Sequence, residues 1–461
     1  MKTKLIVIII IGFFLLSIFF NAPWINFFPS QILSITFLWG TFAAFILIGV
    51  PISFSLGISA FFTAIYVGLP VLVIFQSLSM GIYSFAYVAI PFFILMGQLM
   101  LIGGMSDDLL AFANIFVGRL PGGFAIVNVL SNMLLGGISG SSVADVAAIG
   151  SVSIPMMEKQ GYTREFSSAL TAAASQEGII IPPSQNMIIY SLAAGGVSVS
   201  GLFLAGYIPG ILLGISLIVV ILVLAKLRNF PKGEVVVWDI KTVKMIFRAI
   251  ISIAVGGLTV FGIVFGLFTP TESASVGALL VLILDFTIYR KKFKFSKFVN
   301  AIKESSRTTI MVLFLIANAS AFGYVMAYLQ VPTMLAQGII SISSNPIIIL
   351  LMINILLLAL GTVMDMAPLI VIMTPILLPL VEKIGMSPIQ FGILMLINLG
   401  IGLCTPPVGN ALFVSSAIGK VTIEKETKEM ILLLIGMIIT LFLVTYIPLI
   451  SMFIPNLFGV R

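Results

Sequence analysis

Apolar residues run along this chain in blocks far longer than a strand or a soluble helix needs. Blocks of spanning length fall near residues 4–21, 32–50, 52–75, 83–103, 162–194, 201–226, 248–268, 271–289, 306–329, 387–418 and 429–456. A helix needs roughly 20 apolar residues to cross the hydrocarbon core of a bilayer. Two further blocks, about 123–157 and 347–381, are apolar but cut by glycines and polar residues: "GGISGSSVADVAAIG" and "LGTVMDMAPLIVIMTP". That pattern predicts helical hairpins that enter and leave on one side. Blocks 162–194 and 387–418 each carry a proline pair near the middle, Pro182-Pro183 and Pro406-Pro407. Proline has no backbone N–H and clashes with the preceding turn. Each pair therefore predicts a helix broken at membrane depth, which is tolerated only where the freed backbone faces protein or a cavity.

The pattern occurs twice. Sliding the chain by 224 residues lays "PMMEKQG" (155–161) on "PLVEKIG" (379–385) and "GIIIPPSQN" (178–186) on "GLCTPPVGN" (402–410). Without a gap, 13 of 43 positions from Pro155–Val197 are identical to Pro379–Val421. Average residue usage gives roughly three or four by chance, and apolar bias does not explain matched Pro, Glu, Lys and Asn. The chain divides into an additional N-terminal helix (1–31), a first repeat (32–230), a cytoplasmic linker (231–247) and a second repeat (248–461). Each half holds five crossings and one hairpin. The odd number makes the second copy enter from the opposite face, the inverted-repeat architecture of many secondary transporters. The expected fold is an all-α polytopic membrane protein with two inverted-topology repeats, re-entrant hairpins and broken helices.

Composition narrows the chemistry. The chain is 60% hydrophobic and 8% charged, with mean hydropathy +1.25. Its net charge of +7 does not indicate nucleic acid. The basic residues gather in "KLRNFPKGE" (226–234), "RKKFKFSK" (290–297) and "GKVTIEKETKE" (419–429), as cytoplasmic loops do. "GGVSVSG" (195–201) and "FTPTES" (268–273) have none. This places the N-terminus inside and Arg461 outside, with the first hairpin opening to the cytoplasm and the second to the outside. There is no histidine and one cysteine, Cys404. That argues against intramembrane hydrolysis or redox chemistry, which would need a base, a nucleophile or metal ligands. A channel shares the hydrophobicity, but duplicated broken helices suit an occluded site better than a continuous pore.

The breaks are the candidate site. Half-helix N-termini offer N–H groups to an anion, and unwound carbonyls offer oxygens to a cation. In the first hairpin tip, "GGISGSS" (136–142), Ser139, Ser141 and Ser142 add hydroxyls that suit a hard cation such as Na⁺. Small residues at a close helix crossing are the other reading; pairing with Pro182-Pro183 favours the ion. The second tip, "GTVMDMAP" (361–368), carries Thr362 and Asp365. Acids at membrane depth are functional candidates, so Asp145 and Asp365 have either a role at the site or a structural one. Glu272 reads as a helix N-terminal residue, and Asp285 as a partner of the nearby basic loop. Ser184 and Gln185 lie close enough to the first break to reach a substrate. Asn186 and Asn410 suit either substrate bonds or bonds that hold the breaks.

At these residues the chain resembles the large membrane subunit of tripartite ATP-independent periplasmic (TRAP) transporters, in the ion transporter superfamily. The motifs are "GGISGSSVADVAAIG", "ASQEGIIIPPSQN", "FGLFTPTESASVGAL", "MDMAPLIVIMTPILLP" and "CTPPVGNALF", and the likeness covers about residues 32–458. It implies Na⁺-driven uptake of an organic acid, such as sialic acid or a C4-dicarboxylate. A soluble periplasmic binding protein would deliver that acid, and a small four-helix membrane subunit would accompany the chain in the bacterial inner membrane. It also implies elevator movement of a transport domain against a scaffold, no organic cofactor and no enzymatic activity. Carried onto this chain, one Na⁺ site falls at Ser139, Gly140, Ser141 and Ser142 with Gly178, Ile180 and Pro182. The other falls at Gly361, Thr362 and Val363 with Gly402, Cys404 and Thr405. The substrate then meets Ser184, Gln185, Asn186, Gly409 and Asn410. A Na⁺/dicarboxylate symporter of the same superfamily, needing no binding protein, is the nearest alternative. The helix at 4–21 has no small-residue cleavage site behind it and reads as a retained anchor, in the position of the linker helix of fused subunits.

Overall fold

A computed structural model describes residues 30–231, 239–290 and 294–460; the expected N-terminal helix at 4–21 lies outside them. The described residues fold into helices. The first half contains α1 (Ser30–Ile48), α2 (Ile52–Tyr66), α3 (Val71–Ile82), α4 (Ala89–Gly103), α5 (Met105–Val117), α6 (Gly123–Ser139) and α7 (Ser142–Lys159). It continues with α8 (Arg164–Ala174), α9 (Glu177–Ile180), α10 (Gln185–Ala193) and α11 (Val199–Arg228). The second half contains α12 (Ile240–Val264), α13 (Pro270–Thr287), α14 (Phe295–Tyr328), α15 (Val331–Ile342) and α16 (Pro346–Gly361). It ends with α17 (Met366–Lys383), α18 (Pro388–Leu403), α19 (Asn410–Gly419), α20 (Ile423–Tyr446) and α21 (Pro448–Leu457). Among the described residues seven helices are long and apolar enough to cross a membrane, or eight with one bent pair.

The duplication is visible in the elements. A shift of 224 residues carries both ends of Ser142–Lys159 onto those of Met366–Lys383. The packing is reciprocal as well. Helix α7 lies on α19 and α17 on α10; α8 lies on α20 and α18 on α11; α4 lies on α13 and α14 on α2. Such exchange of partners is what two copies related by a two-fold axis produce.

Local chemistry sets the helix ends. Thr269 and Glu272 form a capping box, with the Glu272 carboxylate accepting from Thr269 N–H at 2.8 Å. This agrees with Glu272 as a helix N-terminal residue. Ser198 caps α11 by accepting from Gly201 N–H at 3.1 Å. Asp239 caps α12, accepting from the Thr242 N–H at 2.7 Å and its hydroxyl at 2.9 Å, and these bonds hold its carboxyl below the usual range. Exposed apolar residues recur every three or four positions along α11 (Ile211, Ile215, Val219, Leu222) and α20 (Ile431, Ile435, Ile439, Phe442). Stripes of this kind fit a hydrocarbon environment rather than water.

Two blocks that read as single crossings are divided. The block at 52–75 is split between α2 and α3, with Gly68 at φ 74° and Pro70 at the start of α3. The block at 83–103 continues past Gly104, at φ 80°, into α5 with a bend of 73°. Glycine adopts this left-handed conformation at little cost, so the chain turns there. Asp285 also departs from expectation. Among the described residues its carboxylate has no basic partner; it is fully buried without a hydrogen-bond partner and packs on Gly103, where a Cβ would come within 2.0 Å of Oδ1. Asp108 takes the basic partner instead, with Arg248 Nε at 2.9 Å and the Tyr289 hydroxyl donating to it at 3.0 Å.

Candidate functional site

Both proline pairs break their helices, and each break meets a hairpin tip. In the first half α6 and α7 form the hairpin, and residues 181–184 separate α9 from α10. Gly136 lies so close to the break that a Cβ on it would stand 2.1 Å from Gly178 Cα. A Cβ on Gly137 would stand 3.2 Å from the Pro182 carbonyl oxygen. Gly140, at φ 62°, turns the tip over Pro183 and the Gln185 N–H. In the second half α16 and α17 form the hairpin, and residues 404–409 separate α18 from α19. Gly361 lies on Gly402, and Val408 N–H donates to the Thr362 carbonyl at 2.9 Å. Both breaks contain a cis proline pair, Pro182-Pro183 and Pro406-Pro407.

The expected ion-site residues are distributed unevenly around these junctions. Ser141 caps α7 by accepting from Ala144 N–H at 3.4 Å. The Ser142 hydroxyl is buried, 2.7 Å from Ser175 Oγ, and accepts from Gln176 Nε2 at 2.7 Å. The side chain of Ser139 lies outside the described residues. The Ile180 carbonyl faces α11, at Gly206, rather than the hairpin tip. Thr405 and Leu403 turn their carbonyls toward Gly409, and the Thr362 hydroxyl donates to Ala359 O at 2.8 Å. Cys404 points its thiol away, donating to Ala172 O on α8 at 3.2 Å. It therefore ties the second break to the first half through its side chain, leaving only its carbonyl for an ion.

A cavity of about 420 Å³ lies between the two tips. Its floor is the N-terminal turn of α7 (Ser141, Ser142, Ala144), the start of α17 (Asp365–Ala367) and the start of α10 (Gln185, Asn186). Gln98 of α4 and Thr308 of α14 close it from the other side. Three helix starts thus converge on one space, each presenting backbone N–H groups and the positive end of its dipole. The structure brings Ser141, Ser142, Gln185, Asn186 and Asp365 together there. It does not bring Ser184, Gly409 or Asn410 to the lining; Ser184 is fully buried with no partner for its hydroxyl.

Behind the first tip stands a buried polar layer. Asn128 donates to Ser153 Oγ at 2.9 Å and to Thr171 Oγ1 at 2.8 Å, joining both hairpin arms to α8. Asp145 is fully buried, with Oδ2 packed over Gly178. Glu177, next in the chain to Gly178, is also fully buried, and neither carboxylate oxygen has a hydrogen-bond partner. Sequence reasoning does not single out Gln98 or Thr308. A lone amide within "FFILMGQLMLIG" is a readable signal for Gln98, because polar side chains at membrane depth usually have a task. Thr308 carries no such signal.

The fold and this site define a multi-pass membrane protein whose centre is built from paired broken helices and helical hairpins. Residues 39–450 match the family model described as tripartite ATP-independent periplasmic transporter, DctM component, and the chain belongs to that family. Over 418 residues it is 41% identical to the isethionate TRAP transporter permease protein DctMQ of Oleidesulfovibrio alaskensis, covering 90% of this chain and 65% of that one. Over 378 residues it is 38% identical to the C4-dicarboxylate TRAP transporter large permease protein DctM of Pseudomonas aeruginosa, covering 81% and 87%. The fold is similar to that of the Alcanivorax borkumensis YdaH transporter, with a TM-score of 0.59 at 14% identity over 81% of this chain and 88% of that one.

Proposed function

We propose that this chain carries an organic acid across the bacterial inner membrane by Na⁺-coupled secondary transport. The observation that supports this most is the convergence of three helix starts on the 420 Å³ cavity beside both breaks. Backbone N–H groups and helix dipoles favour a carboxylate or sulfonate there. The relatives are named for isethionate and C4-dicarboxylates, both small organic anions. Asp365 also faces the cavity, and its negative charge would repel an anion unless a cation arrived with it. Na⁺ at the Thr362 tip would supply that offset, and this supports the coupled reading.

In this reading the two halves are inverted repeats. The hairpins and broken helices travel as one block past α4 and α14, carrying the anion by the elevator route. A soluble periplasmic binding protein delivers the acid, and a small four-helix membrane subunit widens the stationary part. The experiment is uptake into proteoliposomes holding this chain and the small subunit, with the binding protein outside and candidate acids first chosen by that protein's thermal shift. Uptake that needs both an inward Na⁺ gradient and the binding protein is the result expected. Equal uptake in choline buffer would remove Na⁺ coupling, and full uptake without the binding protein would favour the direct symporter.

A further inference from the structure

We propose that a second cavity, of about 680 Å³, is a vestibule of the anion cavity, and that Lys294 and Lys297 at its mouth form a transient binding site for the transported carboxylate or sulfonate. The inference rests on the reading of the inner cavity as an anion site and adds the route by which the anion reaches or leaves it.

Four residues line both spaces: Gln98 and Leu101 of α4, and Ala144 and Ala147 of α7. The two spaces are therefore neighbours, with only these side chains between them. Its floor continues along the same face of α7 through Ala148 and Ser151, small side chains that leave room above them. Its other wall follows α14. Thr308 and Met311 of that helix line the inner cavity, Glu304 lines the outer one, and Lys297 and Lys294 stand at the helix start. At 1.5 Å per residue the step from Thr308 to Lys297 is about 16 Å, so one continuous helix borders both spaces.

The charges are ordered along that wall. Helix α14 has no acidic residue in its first turn, although acids are the side chains that stabilise a helix start. It carries two lysines there, so their charge adds to the positive end of the helix dipole. Both lysines are exposed and line the same cavity. The remaining charged lining groups are Asp107 and Glu304. Glu304 lies about two turns inward from Lys297, between the mouth and the inner cavity. A cavity with low-dielectric walls focuses such fields. Lysines at the mouth collect an anion, while Glu304 resists its standing midway, and Gln98, whose amide can donate, is placed for the transfer into the inner cavity. Because these lysines belong to the basic loop at 290–297, the vestibule opens on the side those loops mark.

The test needs no knowledge of the natural substrate. The full chain bearing Ser151→Cys is treated with two methanethiosulfonate reagents of similar size, one carrying a sulfonate and one an ammonium group. The parent chain is the background, since Cys404 is buried. The readout is the ratio of the two reaction rates, divided by the same ratio for free cysteine, at low and at high salt. The expected ratio favours the sulfonate severalfold at low salt, shrinks in high salt as screening requires, and is lost in Lys294→Gln/Lys297→Gln. Lys294→Arg/Lys297→Arg, which keeps the charge, preserves it and controls for misfolding, and Glu304→Gln raises it. A ratio unmoved by removal of both lysines, or an introduced thiol that neither reagent reaches, would overturn the proposal. Anion uptake with an unmoved ratio removes the vestibule site alone. A lysine-dependent ratio in a chain that transports no anion removes the functional reading instead.

Discussion

Gln176 and Gly400 stand one repeat period apart in the chain and meet in the fold: a methyl group on Gly400 would lie 3.2 Å from Gln176 Oε1. Two positions that correspond in the sequence repeat are thus in contact, and this contact joins the helices that lead into the two breaks. Adding bulk here disturbs both halves at once. Gly400→Leu is expected to lower the thermal midpoint of the purified chain, by an overpacking penalty of about 1–3 kcal/mol, whereas Gly400→Ala is expected to be tolerated. A Leu variant with an unchanged midpoint would show that the two halves do not meet tightly.

The glycine contacts at each tip make a second prediction. Gly136 and Gly178 leave no room for a side chain on either, the Cβ positions falling 2.1 Å and 2.8 Å from the opposing Cα. Gly136→Ala must push the first hairpin off its break. Transport is expected to fall at least tenfold while the chain still reaches the membrane. Proteolysis within 136–142 is expected to be faster than in the parent. A variant with normal uptake and an equally resistant tip would contradict the close packing.

The capping residues separate stability from transport. Replacing Glu272 by Ala removes the reciprocal half of the box, where its carboxylate accepts from Thr269 N–H and hydroxyl. A small loss of thermal stability is expected, because one of the two reciprocal bonds of the box is gone, with no change in Na⁺ dependence. Ser141→Ala removes a cap at α7 but also faces the cavity. It is expected to raise the Na⁺ concentration for half-maximal uptake, and Ser141→Thr to restore it. Equal behaviour of the Glu272 and Ser141 variants would reduce Ser141 to a capping residue.

The outer helices carry a test of their own. Asp108 joins Arg248 of α12 and Tyr289, which follows α13. Asp108→Ala strands the Arg248 guanidinium and leaves the Tyr289 hydroxyl only Ser252 Oγ, at 3.2 Å. Because Arg248 is over one-third exposed, solvent screens part of the loss, and about 1–2 kcal/mol is expected. The companion Arg248→Met should cost less than Asp108→Ala, since it leaves Tyr289 its acceptor. Thermal denaturation of both variants checks the order.

Much of this arrangement is legible in the chain because its signals are local. Pro182-Pro183 and Pro406-Pro407 announce breaks wherever they stand in an apolar run, and a period of 224 residues needs no structure to be seen. The helix boundaries are less legible. Gly104 ends α4 with a left-handed turn, yet hydropathy runs through it unbroken. Asp285 misleads because proximity in sequence to "RKKFKFSK" suggests a partner, while the helix phase aims it at Gly103. The cavity lining is legible only on the side of the breaks. Gln98 and Thr308 come from helices far apart in the chain, and no spacing rule joins them. Asn410 repeats Asn186 in sequence, but only Asn186 lines the cavity, a difference that no local signal marks.

Whether each junction of hairpin tip and broken helix holds Na⁺ can be measured without a substrate or a partner, by equilibrium binding of radioactive Na⁺ to the purified full chain. Saturable binding of more than one Na⁺ per chain is expected, with one site weakened by Ser141→Ala, the other by Thr362→Ala, and neither by Glu272→Ala. Absence of saturable binding, or a stoichiometry and affinity unchanged in both hydroxyl variants, would contradict Na⁺ sites at the two tips.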